Sequence, residues 1–153
     1  MNAQREYRIR TAERADQTRI RGLVRSVRIN PMNLDWHNFS VAIDDKGRII
    51  GCGQIKTHRD GTRELASIAV DEEWRRKGVA SELIQGLIQT AEPPSWLICR
   101  LELAPFYEQF GFAVIEDLHD LPTSFRRMRS VARVLSRIIP SIGKFAIMMH
   151  DRT

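Results

Sequence analysis

Seven consecutive residues, Arg75-Arg76-Lys77-Gly78-Val79-Ala80-Ser81, hold the clearest chemical potential in this chain. Three cations run into a glycine and a set of small residues, with a strand pattern before them and a helix pattern after. Ahead of the turn, Leu65, Ser67 and Ala69 alternate with Ala66, Ile68 and Val70, the period of a strand. Behind it, Val79, Leu83, Leu87 and Ile88 share one stripe with Ala80 and Ile84 beside it, the period of an amphipathic helix. A strand that enters a helix through such a turn gathers unpaired N–H groups at the positive end of the helix dipole. Gly78 and Ala80 leave that backbone approachable, so the stretch is suited to a phosphate.

This stretch resembles the signature of the GNAT (Gcn5-related) N-acetyltransferases: Arg or Gln, two residues, Gly, one residue, then Gly or Ala, with Arg75, Gly78 and Ala80 in those places. The preceding Ile68-Ala69-Val70 is also typical, and Phe106-Tyr107-Glu108-Gln109-Phe110-Gly111-Phe112 is similar to the family's downstream F-Y-x-x-x-G-F segment. The resemblance covers roughly residues 5 to 118. It implies an α/β (α+β) fold with a central, mostly antiparallel mixed sheet of six to seven strands and four to five flanking helices. The fourth strand is then splayed from the fifth by a bulge near Ser67 to Ala69.

The implied chemistry is transfer of acetyl from acetyl-CoA, a cosubstrate, to a primary amine by direct attack in a ternary complex, with no metal. Coenzyme A would be held by Arg75, Arg76, Lys77, Gly78, Val79, Ala80 and Ser81 at its phosphates, and by Ile68, Ala69 and Val70 along its pantetheine arm. The N–H near Val70 would meet the developing oxyanion. Tyr107 matches the family's general acid, and its place in a short helix suggests an N-terminal position that would lower its pKa. Glu64, eleven positions before Arg75, has the offset of the general base in histone-type members. Its alternative roles are a cross-strand partner for Lys56 or an edge carboxylate. His37, His58 and water relays stay open as bases. Leu101 stands where many members carry an asparagine that contacts the coenzyme, with Arg100 and Glu102 as replacements. The competing class is a non-catalytic acetyl-CoA-binding or basic interaction module on the same fold.

The elements that must position these groups follow in order. Tyr7 to Arg10 reads as a strand, Thr11 as an N-cap, and Ile20, Leu23, Val24 and Val27 as the buried stripe of a helix ended by Asn30-Pro31. Met32 to Asn38 is irregular. Phe39 to Asp44 and Arg48 to His58 read as strands around an Asp45-Lys46-Gly47 turn. Glu92-Pro93-Pro94-Ser95 ends the helix after the basic turn, and Trp96 to Leu101 forms the next strand. A short helix from Pro105 carries Phe106, Tyr107 and Phe110; Gly111 ends it, a strand spans Phe112 to Glu116, and His119 to Ser124 is a loop.

At 153 residues the chain reads as one domain, residues 1–153, including a basic helix at 125–139 and a last strand at 144–149. The formal net charge of +5 is concentrated there: Arg126, Arg127, Arg129, Arg133, Arg137, Lys144 and Arg152 face Asp151 alone after Phe125. Phe125, Met128, Val131, Ala132, Leu135, Ile138 and Ile139 form an apolar stripe. That reads as a sheet-covering helix with a solvated face; the alternative is a basic surface for nucleic acid, anionic lipid or an acidic protein. No nucleic-acid signature accompanies it, so no nucleic-acid partner is expected. The apolar last strand pairs inside the sheet or across a homodimer interface. Cys52 and Cys99 have no metal-ligand spacing and read as reduced, buried thiols. No apolar run is long enough for a membrane span. Arg5, Arg8, Arg10 and Arg14 are interrupted by Glu6, Glu13 and Asp16, unlike a transit peptide, and a cytoplasmic location is expected. The amine acceptor, small molecule or protein, has no code in the sequence.

Overall fold

The computed structural model describes residues 6–151; Arg5 and Arg152, counted above among the cations, lie outside the described residues. Seven strands run through the chain: β1 (Tyr7–Thr11), β2 (Phe39–Asp44), β3 (Ile49–Thr57), β4 (Arg63–Val70), β5 (Ser95–Arg100), β6 (Ala113–Val114) and β7 (Phe145–His150). Four α-helices accompany them among the described residues: α1 (Gln17–Ser26), α2 (Val79–Thr90), α3 (Ala104–Glu108) and α4 (Thr123–Ile138). The hydrogen-bonded strand order is β1-β2-β3-β4-β5-β7-β6, a mixed sheet in which β4 and β5 are parallel at Arg63↔Ser95 and Glu64↔Trp96. No helix among the described residues is long and apolar enough to cross a membrane.

The chain forms two compact units, one reaching Ile55 and including Leu65–Thr90, the other made of Lys56–Glu64 and the residues from Ala91 onward. In the first, β2 pairs antiparallel with β1 and β3. Because side chains alternate across a strand, its two faces enter different cores. Val41 and Ile43 join Ile49, Cys52, Ala69 and the α1 stripe of Ile20, Leu23 and Val24. Ala42 joins Ile50, Val70 and the α2 residues Val79 and Leu83. Each large aliphatic chain buried this way contributes about 1.5–3 kcal/mol. Gly53 lets α2 come close to β3: a Cβ there would lie 2.5 Å from Ile68 Cδ1 and 3.0 Å from Leu87 Cδ1. The Asp45-Lys46-Gly47 turn is closed by the buried Asp44 carboxylate, which accepts the N–H groups of Lys46 and Arg48 at 3.0 and 2.8 Å.

The second unit stacks β5, β7 and β6 antiparallel, in the registers Trp96↔Met149 and Ala113↔Met149. The last strand thus pairs inside the sheet. Trp96, Leu121, Phe125 and Ile147 form its core, with Ile98, Ile115, Met128 and Met149 packed against them.

Several local expectations are corrected. Thr11 closes β1 instead of capping a helix; the chain enters α1 through a 3-10 turn at Arg14–Asp16, where Asp16 Oδ2 accepts the Glu13 N–H at 2.7 Å. The strand after Gly111 is only Ala113–Val114, and Leu101 opens a 3-10 turn that follows β5. Phe110 lies beyond the end of α3. The largest departure is in α4, which starts at Thr123 and docks through Phe125, fully buried, and Met128. Val131, Leu135, Ile138 and Ile139 of the expected buried stripe are exposed, as is Val134. The helix extends beyond the core its first turns cover.

Candidate functional site

The basic turn is built from the end of β4. Asp71 N–H donates to Ile50 O at 2.8 Å and fixes the strand's exit, and a 3-10 turn at Glu72–Trp74 then delivers Arg75. Two left-handed residues follow, Arg76 at φ +63° and Gly78 at φ +83°. They reverse the backbone into α2, whose intrahelical ladder opens with Glu82 N–H donating to Gly78 O at 3.1 Å. By helix geometry the amides of Val79, Ala80 and Ser81 then have no partner in the helix and present donors at its positive end. The approach is open: Arg75, Arg76, Lys77 and Gly78 are exposed, and a Cβ on Gly78 would meet only Tyr7 Oη, at 3.8 Å.

Side chains brace the turn. Tyr7 Oη donates to Glu82 Oε1 at 3.0 Å, its ring meets Trp74 edge-on at 6.1 Å, and Lys77 Nζ lies 4.8 Å over the Trp74 ring. Arg75 Nε reaches back to Val70 O at 3.4 Å. These residues fit a diphosphate, since they combine amide donors unpaired within the helix, exposed cations and uncrowded backbone. Among the described residues no cluster of three or more His, Cys, Asp or Glu could hold a metal ion.

On β4 the expected irregularity is at Ser67, which takes φ +58° inside the strand. A non-glycine residue in the left-handed region costs about 1–3 kcal/mol and needs its surroundings to hold it. They do: the fully buried Gln54 donates from Nε2 to Ser67 Oγ at 2.8 Å, and Cys52 Sγ lies 3.7 Å from Ser67 O. Gln54 Nε2 also donates to Asn33 O at 3.2 Å, tying the irregular stretch before β2 to this point of β4. Burial pushes the Cys52 thiol up to about 12, so it is an inert thiol. Gln54 was not singled out from sequence; its signal was a lone amide within the apolar run Ile49–Ile55.

The two residues expected to move protons belong to the other unit. Tyr107 is the fourth residue of the five-residue α3, not at a helix N-terminus, and it meets Phe106 and Phe112 edge-on at 5.2 and 6.2 Å. Burial among these rings, with the Cys99 sulfur as a lesser cause, pushes its phenol up to about 12. The expected lowering is therefore reversed: desolvation outweighs any dipole of so short a helix. Burial likewise raises Cys99 to about 11.

Glu64 is buried in β4, and its Oε2 lies 2.7 Å from His58 Nε2. The two side chains are separated by the turn that joins β3 to β4, closed by His58 N–H donating to Thr62 O at 2.9 Å. Asp60 on this turn accepts the N–H groups of Thr62 and of Ser124 at 2.9 and 3.0 Å, which pins the turn to the first residues of α4; the Thr62 side chain first, and then these N–H groups, hold its carboxyl well below the usual range. His58 also meets Phe125 edge-on at 6.0 Å. Tertiary structure thus joins two of the residues weighed separately as bases, leaving His58 the more accessible at 25% side-chain exposure against 8% for Glu64. His37, the other candidate, has its Nδ1 2.6 Å from Asp35 Oδ1 in the first unit.

Comparison with known proteins places this geometry. Residues 35–114 match the family described as "Acetyltransferase (GNAT) domain". Among solved structures, Rv2747 from Mycobacterium tuberculosis, crystallised in complex with CoA, is 22% identical over 95% of this chain and 99% of its own, with a TM-score of 0.73. The N-acetylglutamate synthase of Neisseria gonorrhoeae, complexed with coenzyme A and N-acetyl-glutamate, is 19% identical with a TM-score of 0.74; 95% of this chain covers 35% of that one. An acetyltransferase of the same family from Staphylococcus aureus Mu50 is 17% identical over 95% and 98% of the two chains, with a TM-score of 0.68. At these identities the likeness is one of fold. Comparison with curated protein sequences gives no significant match.

Proposed function

Because the chain belongs to the GNAT acetyltransferase family, we propose that it transfers acetyl from acetyl-CoA to a primary amine by direct attack, both substrates being bound together. The observation that carries this reading is the pair of left-handed residues, Arg76 and Gly78, that turn the first amides of α2 outward beside exposed cations. In the proposed complex those amides, with Arg75, Arg76 and Lys77, hold the coenzyme's phosphates. The backbone of Ile68, Ala69 and Val70 pairs with the amide-bearing arm, and the Val70 N–H polarises the acyl oxygen. Bound acetyl-CoA supplies an activated acyl group on a good leaving sulfur.

The chain's own proton carriers then have distinct tasks. As the amine nitrogen bonds to the acyl carbon, the C–S bond breaks and the sulfur takes a proton. Tyr107 is proposed to give it from Oη, and its raised pKa keeps that proton in place across the physiological range. The amine must shed a proton in turn. The His58–Glu64 pair suits that role, with the imidazole as acceptor and the carboxylate stabilising the imidazolium.

The test measures release of the coenzyme thiol from acetyl-CoA against a panel of amines, alongside calorimetric binding of coenzyme A. Binding with amine-dependent release supports the proposal. Binding without release for any amine would leave the non-catalytic reading, and absence of binding would remove both.

A further inference from the structure

The first unit holds an open cavity of about 670 Å³. It lies between α1 with its preceding turn, through Arg14, Gln17 and Arg21, and the stretch before β2 that includes Asn33, Asp35, Trp36 and His37. Its size falls in the range of small-molecule sites, about 300–1,000 Å³. Resting on the acetyl-transfer reading, we infer that this cavity selects an amine acceptor bearing a carboxylate, an amino acid or a close relative, and that Arg14 and Arg21 bind that carboxylate.

Charge carries the argument. Three other arginines of this unit are matched to acids: Arg10 to Asp16 at 2.6 Å, Arg19 to Asp71 at 2.9 Å and Arg48 to Asp44 at 2.8 Å. Arg14 and Arg21 have no acidic partner within ion-pair distance among the described residues, although both line the same cavity. The single carboxylate on the wall, Asp35, is engaged by His37, through the ring Nδ1 at 2.6 Å and the backbone N–H at 3.1 Å. Two unmatched guanidiniums therefore face a cavity whose anion is already occupied. Such a lining repels polyamines, aminoglycosides and lysine-rich peptides, and it suits the planar, two-oxygen geometry that guanidinium recognises.

The walls are held in place. Gln17 uses both ends of its amide, donating from Nε2 to Leu34 O and accepting the Trp36 N–H at Oε1. The Trp36 and His37 rings stack at 3.7 Å, an aromatic wall for the acceptor's carbon skeleton. The cavity is also tied to the reacting region, since Asn33 O and Ser67 Oγ share the Gln54 amide. A carboxylate bound by α1 would sit on the same scaffold as the β4 irregularity where the acyl group is expected.

The experiment compares L-amino acids with their carboxamides as acceptors. The acids are expected to have kcat/KM at least about tenfold higher, mostly through KM, from charge-assisted hydrogen bonds. In the double variant Arg14→Gln/Arg21→Gln that ratio falls toward one, while Arg25→Gln, on α1 outside the cavity, keeps it. Equal rates for acids and carboxamides, or a ratio that survives the double variant, overturn the inference and leave acetyl transfer standing. If no amine is acetylated, calorimetry with N-acetylated amino acids and their carboxamides decides. A preference for the acids that needs Arg14 and Arg21 supports the inference apart from catalysis, and no preference overturns it.

Discussion

Tyr107→Phe separates the phenol's electrostatic environment from its proposed task. The phenol titrates near 10 when solvated and is pushed up to about 12 in the fold. That two-unit gap corresponds to about 2.7 kcal/mol between the protonation states. The folded chain holds the proton more tightly than the unfolded one, so this contribution to stability is whole below pH 10 and is lost as pH rises through 12. The slope is about 1.4 kcal/mol per pH unit, and phenylalanine has none. Urea unfolding of wild type and variant at pH 8, 10 and 11 should therefore show wild type losing about 1 kcal/mol more than the variant between pH 10 and 11, and only about 0.4 kcal/mol more between pH 8 and 10, where the unfolded phenol becomes half ionised. Cys52 and Cys99 titrate in both proteins and cancel to first order. In turnover, the variant should lose about 10²- to 10⁴-fold in kcat with little change in coenzyme binding. Parallel stability curves would refute the desolvated phenol, and an unchanged kcat would refute its part in thiolate protonation.

Replacing Gly78 with Val forces a β-branched residue to φ +83°. Coenzyme A affinity should fall at least about tenfold by calorimetry, because the amides it aims are displaced; unchanged affinity would place the phosphates elsewhere. His58→Gln and Glu64→Gln should each lower kcat about 10²-fold, with the double variant hardly worse than either, as expected of one hydrogen-bonded unit. Additive losses would show that they act separately. Gln54→Leu leaves Ser67 Oγ and Asn33 O without their shared donor and should cost about 1–3 kcal/mol in urea unfolding. Phe125→Ala should cost about 3–5 kcal/mol, whereas Ile138→Ser, at a position 70% exposed, should stay within about 0.5 kcal/mol. Similar losses at both sites would mean that the far half of α4 is covered.

The basic turn was legible because its ingredients are contiguous. A glycine at a left-handed position, small residues after it and an apolar stripe at helical period are local facts, and the structure repeats them at Arg76, Gly78 and α2. Strand β2 was legible to the residue for a similar reason, since its turn chemistry lies beside it. Ser67 was harder. Nothing in a serine announces φ +58°, which is sustained by Gln54 and Cys52 from the neighbouring strand. The α4 stripe misled because periodicity identifies an apolar face without specifying how far the surface it packs on extends. Phe125 meets a core and Ile138 does not.

The amino-acid sequence by itself determined the family, the order of the elements and the basic turn proposed to hold a phosphate. The family was read from a resemblance, carried by Arg75, Gly78 and Ala80 and by the segment from Phe106 to Phe112; the other two depend on short-range sterics and on periods of two or 3.6 residues that any stretch carries within itself. Only the tertiary structure decided that Glu64 is bound to His58, that Tyr107 is desolvated rather than activated by a helix end, and that Arg14 and Arg21 share a cavity with the Trp36–His37 stack. Pairing, dielectric surroundings and the lining of an open cavity depend on which distant residues arrive at the same place, and that is a property of the folded chain.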